Sequence, residues 1–206
     1  MTWYHYLASA ALVLCLVSLS YHFIALIKLG APKDYSRQRG NVRAAVVYSF
    51  LGAMSPSKKE SAYLHLPTYA AGLVDHAGTF TSIVLFFPLF LNVRLAGILQ
   101  WGVMGILAVS VAGGLGIFVK RVAVRRIRFL SNIDDYVSNL LVTLFQFFTL
   151  LMLAQEALAP FYFLCVSLLL LYLPLGKLKH ALYFFAARYH LGLFYGWRGI
   201  WPLRRT

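Results

Sequence analysis

Five long apolar runs constrain this chain more than any other feature. With soft edges they cover residues 3–29, 63–91, 95–119, 136–153 and 160–178. A hydrocarbon core ~30 Å thick needs about 20 helical residues to cross it, so each run is close to or beyond spanning length. None alternates apolar and polar residues with period two, which excludes a transmembrane β-barrel. The first run lacks a basic leading segment and is too long for the apolar part of a signal peptide, so it reads as a span. Composition agrees: 61% of the 206 residues are hydrophobic and only 12% charged. A soluble domain is nearer one quarter charged. The expected fold is all-α, an integral membrane five-helix bundle formed as a single domain over residues 1–206.

The net charge of +13 looks like a nucleic-acid signature until its distribution is read. Lys28, Lys33, Arg37, Arg39, Arg43, Lys58 and Lys59 lie around the connection between the first two spans. Lys120, Arg121, Arg125, Arg126 and Arg128 lie between the third and fourth, and Lys177, Lys179, Arg188, Arg198, Arg204 and Arg205 at and after the end of the fifth. The opposite side holds Arg94 alone. By the positive-inside rule this puts the N-terminus outside and the C-terminus in the cytoplasm. The charge then serves topology and contact with anionic membrane lipid, and no nucleic-acid partner is expected.

The outer connections, 92–94 and 155–159, are minimal, so the spans they join should be antiparallel neighbours. On the inner side residues 44–54 form an apolar stretch too short to span, read as an interfacial segment or a docking surface. The run Ser131-Asn132-Ile133-Asp134-Asp135 looks like a helix start, with Ser131 or Asn132 as cap and two aspartates at the positive dipole end. The aromatic tail over 181–206 reads as a prolongation of the fifth span that Gly192, Gly196 and Gly199 break. Its Phe194, Tyr195, Trp197 and Trp201 call for a cover of lipid or a partner subunit. Cys15 and Cys165 fall within apolar runs, and no CxxC is present, so both read as packing residues.

Ionisable residues inside spans are costly and therefore candidates for function. They are His22 in the first span, Asp75 and His76 in the second and His180 at the inner end of the fifth. His65 lies at the inner end of the second span and His5 at the outer end of the first. No Ser-His-Asp set, no carboxylate pair and no phosphate-binding loop accompanies them. Histidines on facing helices of a bundle can hold haem iron. Gly72, one turn before His76, and Gly78 thin the second span, and Gly113, Gly114 and Gly116 thin the third. From the outer ends of the second and fifth spans, His76 lies about 22 Å in, His65 about 39 Å and His180 about 30 Å. Depth does not choose between His76 and His65, whereas burial favours His76. A haem-free channel, transporter or scaffold subunit is the competing class.

Two segments carry a family resemblance. Leu64-His65-Leu66-Pro67-Thr68-Tyr69-Ala70-Ala71-Gly72 followed by His76-Ala77-Gly78 resembles the second span of b-type cytochrome subunits of the respiratory nitrate reductase gamma family. Pro174-Leu175-Gly176-Lys177-Leu178-Lys179-His180 is similar to the end of that family's fifth span. The tail from Arg188 to Pro202 resembles a branch whose b subunit accompanies a heterodisulfide-reductase-like iron–sulfur protein. The likeness covers roughly 63–91 and 160–202; the other spans match in hydropathy alone.

The resemblance implies a membrane anchor in the inner membrane of a prokaryote. Such an anchor passes electrons between quinone, menaquinone or ubiquinone, and a cytoplasmic iron–sulfur subunit. It implies haem b held by His76 and His180, with His65 in reserve. The family's second, outer haem needs histidines where this chain has Phe86 and Tyr162, so one haem is expected. Arg43, Lys177 and Lys179 are the expected propionate contacts, and Asp75, His65 and His22 the candidates for handling quinone protons.

Overall fold

A computed structural model describes residues 2–30, 34–55 and 66–202. Most of the described residues are helical, and none of them is in a strand. The helices are α1 (Trp3–Leu29), α2 (Val42–Phe50), α3 (Leu66–Phe90), α4 (Gly97–Ala123), α5 (Arg125–Phe129), α6 (Ile133–Ala154), α7 (Ala159–Tyr172) and α8 (His180–Trp197). Two 3₁₀ turns, Glu156–Leu158 and Lys177–Lys179, precede α7 and α8. Four helices, α1, α3, α4 and α6, are long and apolar enough to cross a membrane; a fifth span results if the broken pair α7 and α8 is counted as one. Apolar side chains such as Val17, Val84, Trp101 and Val109 lie on the outside of these helices, more than half exposed. Surfaces of that kind are at home in lipid.

The chain forms two compact units. One comprises Met1–Cys15 with Pro67–Leu178, the other Leu16–Leu66 with Lys179–Thr206, so that α1 gives its first part to one and the rest to the other.

In the first unit α6 packs on α4 and α7. The core gathers Leu85, Phe86, Leu107, Phe145, Phe163 and Val166, with Tyr162 fully buried among them. Of the two caps offered by the sequence, Ser131 and Asn132, it is Asn132 that caps α6. Its side chain accepts from the Asp135 N–H, and the Asp135 side chain accepts from the Asn132 N–H in return, a capping box. Asp135 also pairs with Lys177 and lies 3.5 Å from Arg121, while Asp134 accepts from the Tyr172 hydroxyl. These contacts explain why the fifth span is broken rather than continuous into the tail. Pro174 cannot supply a helical N–H, and a Cβ at Gly176 would lie 2.8 Å from Asp134 Oδ1. The start of α6 thus holds the chain between α7 and α8 in a turn.

In the second unit α2 packs against α8. Asn41 caps α2 through the Ala44 N–H at 3.0 Å. The stretch 44–54, expected as an interfacial or docking segment, is thus largely this helix, and its partner is in the chain itself. Gly192 and Gly196 do not end α8, contrary to expectation. They sit one turn apart inside it, where a Cβ on Gly192 would come 2.5 Å from Val46 Cα and one on Gly196 2.6 Å from Ala45 Cβ. Their service is close helix contact rather than interruption. The helix stops one residue later, at Trp197, before Gly199, whose φ of +71° suits glycine.

Candidate functional site

α3 carries the residues of interest on two of its faces. His76 lies on the outer surface of the first unit, half a turn away from the bundle interior. Its Nδ1 lies 2.7 Å from the Gly72 carbonyl oxygen. A carbonyl can only accept, so Nδ1 bears the proton and the lone pair is left on Nε2, the form in which imidazole binds metal. Gly72 keeps this face low: a Cβ there would meet nothing within 4 Å. Gly116 on α4 is equally open, and Gly113 has only the Ala71 carbonyl and Val74 at 3.8 Å. A flat, apolar group can therefore approach the His76 side of α3, which is what one axial ligand of a haem requires.

Gly78 has a different place from the one read in the sequence. It is buried, and a Cβ there would run into Ser110 and lie 3.0 Å from Gln146 Oε1. Its missing side chain is taken up by packing of α3 on α4 and α6, two residues round from His76. Gly114 is likewise occupied, beside Asp75 Oδ1 at 3.0 Å and the Thr143 hydroxyl.

The inward face of α3 holds Asp75, in a polar cluster that the sequence did not disclose. Gln146 of α6 donates through Nε2 to Thr79 Oγ1 at 2.8 Å, to the Asp75 carbonyl at 3.1 Å and to Asp75 Oδ1 at 3.2 Å. Ser110 of α4 donates to the Val74 carbonyl at 2.9 Å. Gln146 and Ser110 are fully buried. Among the described residues no lysine or arginine pairs with Asp75; its carboxylate is held by the Gln146 amide. A polar residue at every third or fourth position of α6 (Asn139, Thr143, Gln146) is the sequence signal that locates this cluster.

The remaining sequence-derived candidates are dispersed. His180 is the first residue of α8, in the second unit, and is exposed. His22 is half-buried on α1 with Tyr21 edge-on at 5.8 Å. His65 lies outside the described residues. Lys177 is engaged by Asp135, Arg43 is exposed on the first turn of α2, and Lys179 precedes α8. His5 is buried against Tyr4, Phe90 and Phe163. Among the described residues there is no group of three or more His, Cys, Asp or Glu placed to hold a metal ion, though a haem needs only two axial donors.

The tail aromatics find much of their cover inside the second unit. Trp197 Nε1 donates to the Ser36 carbonyl at 2.7 Å, and Trp201 packs against Tyr195 at 4.6 Å and Tyr48 at 5.5 Å. Arg198 lies 3.7 Å over the Phe194 ring and 3.0 Å from Asp34, so residues 34–39 strap the end of α8.

The fold and these surfaces define an all-helical chain compatible with a multi-pass membrane protein. Comparison with protein-family models, with curated proteins and with solved structures gave no match.

Proposed function

We propose that this chain is a haem b membrane-anchor subunit of a respiratory oxidoreductase complex in the inner membrane of a prokaryote. In this reading it transfers electrons between the quinone pool and a cytoplasmic, heterodisulfide-reductase-like iron–sulfur partner. The observation that carries the reading is the setting of His76: an outward imidazole whose Nδ1 is tied to its own helix, beside the bare surface at Gly72. In this reading His76 and His180 are the residues that would hold the haem iron. When bound, the haem supplies one-electron transfer; substrate chemistry belongs to the partner subunits. Of the basic residues proposed for the propionates, Lys179 and Arg43 have no acidic partner among the described residues, whereas Lys177 would have to share itself with Asp135. Asp75 and His22, with His65, remain the groups proposed for quinone protons.

The orientation belongs to the same proposal, N-terminus outside and C-terminus cytoplasmic, on the strength of the basic asymmetry. A rival class, a haem-free channel or transporter, draws on the Asp75–Gln146 cluster, since polar groups within spans often mark transport paths.

The absorption spectrum of the purified protein decides. Under the haem reading a reducible b-type Soret and α-band appears, with one haem per chain by pyridine haemochrome. His76→Ala and His180→Ala each abolish it, and His65→Ala leaves it intact. A colourless protein, or an unchanged spectrum in His76→Ala, refutes the reading.

A further inference from the structure

Of the side-chain atoms in the first unit that are buried without a hydrogen-bond partner among the described residues, four are Asn139 Oδ1, Gln146 Oε1, Ser82 Oγ and Tyr162 OH; His5 Nε2 and Arg121 Nε are the others. An unpaired buried polar atom costs about 1–3 kcal/mol, so four in one bundle are not tolerated without a partner. The first four are not scattered. Asn139, Thr143 and Gln146 stand at i, i+4 and i+7 on one face of α6, and Asp135 continues the row one turn earlier. From Asp135 to Gln146 the row climbs about 16 Å, half the thickness of a bilayer core. Asp75, Ser110 and Thr79 line its upper part from α3 and α4. Ser82, seven residues beyond Asp75, and Tyr162, stacked on Phe145 at 6.3 Å, extend it.

The two ends of the row differ. At the Asp135 end stand Arg121 and Lys177, whose side chain is more than half exposed, so water reaches this end. At the other end Tyr162 abuts Phe163 at 4.9 Å. Phe163 is fully buried, and it packs on Tyr4 at 5.4 Å and Phe90 at 6.0 Å. His5 lies in the same aromatic layer, 4.6 Å from the Phe163 ring, with its Nε2 unpartnered among the described residues and its Nδ1 2.9 Å from the Thr2 hydroxyl.

We propose that a file of internal water enters the bundle beside Asp135 and follows the polar row of α6 past Gln146 as far as Tyr162. It forms an inlet that carries protons to the middle of the membrane. Each unpaired atom along the row then gains the water partner that buried polar groups normally have. The inlet lies wholly within the first unit and stands whether or not the protein binds haem.

Side-chain amide protons exchange only where hydronium or hydroxide reaches them, so Gln146 reports on the inlet directly. The protein is labelled with ¹⁵N-glutamine, placed in lipid bilayers and its amide exchange followed by NMR. The Gln146 signal is assigned by its loss in Gln146→Met, with surface Gln155 as the internal reference. The expected rate for Gln146 lies within about a hundredfold of that for Gln155. In Thr143→Ile, which puts carbon in the row below it, Gln146 exchange falls by about tenfold or more while Gln155 is unchanged. A Gln146 rate slower than that hundredfold window in the unmodified protein, or one unaffected by Thr143→Ile, overturns the proposal. The first arm uses no variant in the row, so the proposal is testable even if Thr143→Ile does not fold.

Discussion

Asp34 shows how much a single residue can fix. Its carboxylate accepts from the Ser36 hydroxyl at 2.7 Å and the Ser36 N–H at 3.0 Å, and it pairs with Arg198. Those bonds, the Ser36 contacts first, hold its carboxyl below the ordinary carboxylate value. A lowered folded value means that the contribution to stability is complete above the unfolded value of about 3.9 and is lost only as pH falls through the folded one. The strap over the end of α8 should therefore persist to pH 4 or slightly below. An NMR titration of the Asp34 carboxyl checks this: the midpoint should lie under the unfolded value and move up toward it in Ser36→Ala. His76 is the other decisive residue. Its position within the second apolar run was legible in the sequence, whereas its exposure on the outer face and its tautomer, set by the Gly72 carbonyl 2.7 Å away, were not.

At the scale of elements the sequence located the spans to within a few residues but misread the glycines. Gly192 and Gly196 look like helix breakers in a list of residues, because glycine lowers helix propensity by about 1 kcal/mol against alanine. Against α2 they are the positions where two backbones meet. Gly192→Ala therefore gains propensity yet loses overall, because its Cβ would sit 2.5 Å from Val46 Cα. We expect a net loss of about 1–3 kcal/mol, as for other overpacked sites, read as a lower unfolding temperature in detergent. Gly105→Ala on α4 is the control, since nothing lies within 4 Å of its Cβ position. It should leave stability unchanged or raise it by about 0.5–1 kcal/mol. At the start of α6, Asn132→Ala removes a capping box and should cost about 1 kcal/mol by the same measurement.

For the whole molecule the proposed topology follows from charge. Reporter fusions after Thr206 should read cytoplasmic, and those placed in the 92–94 connection external. The reverse pattern would move both the proposed partner and the water inlet beside Asp135 to the other face. The basic residues that set this expectation belong to both compact units, so the asymmetry is a property of the chain and not of one unit. The internal acidic partners are fewer. Asp135 takes up Arg121 and Lys177, Asp34 takes up Arg198, and Glu156 pairs with Arg94 on the sparse side.

Sequence alone determined the all-helical class, the rough limits of four apolar spans, and a helix start within residues 131–135. Each depends on local information: apolar run length set against bilayer thickness, or a side chain within reach of its own backbone three residues on. Tertiary structure alone decided the partners. It broke the fifth span at Pro174–Gly176 against the start of α6 and turned residues 44–54 into a helix seated on α8. It gave Gly78 to packing while leaving Gly72 open, and joined Gln146 to Asp75 across 71 positions of chain. Such pairings depend on which faces of distant helices meet, and hydropathy, which gives every apolar face the same value, carries no record of that.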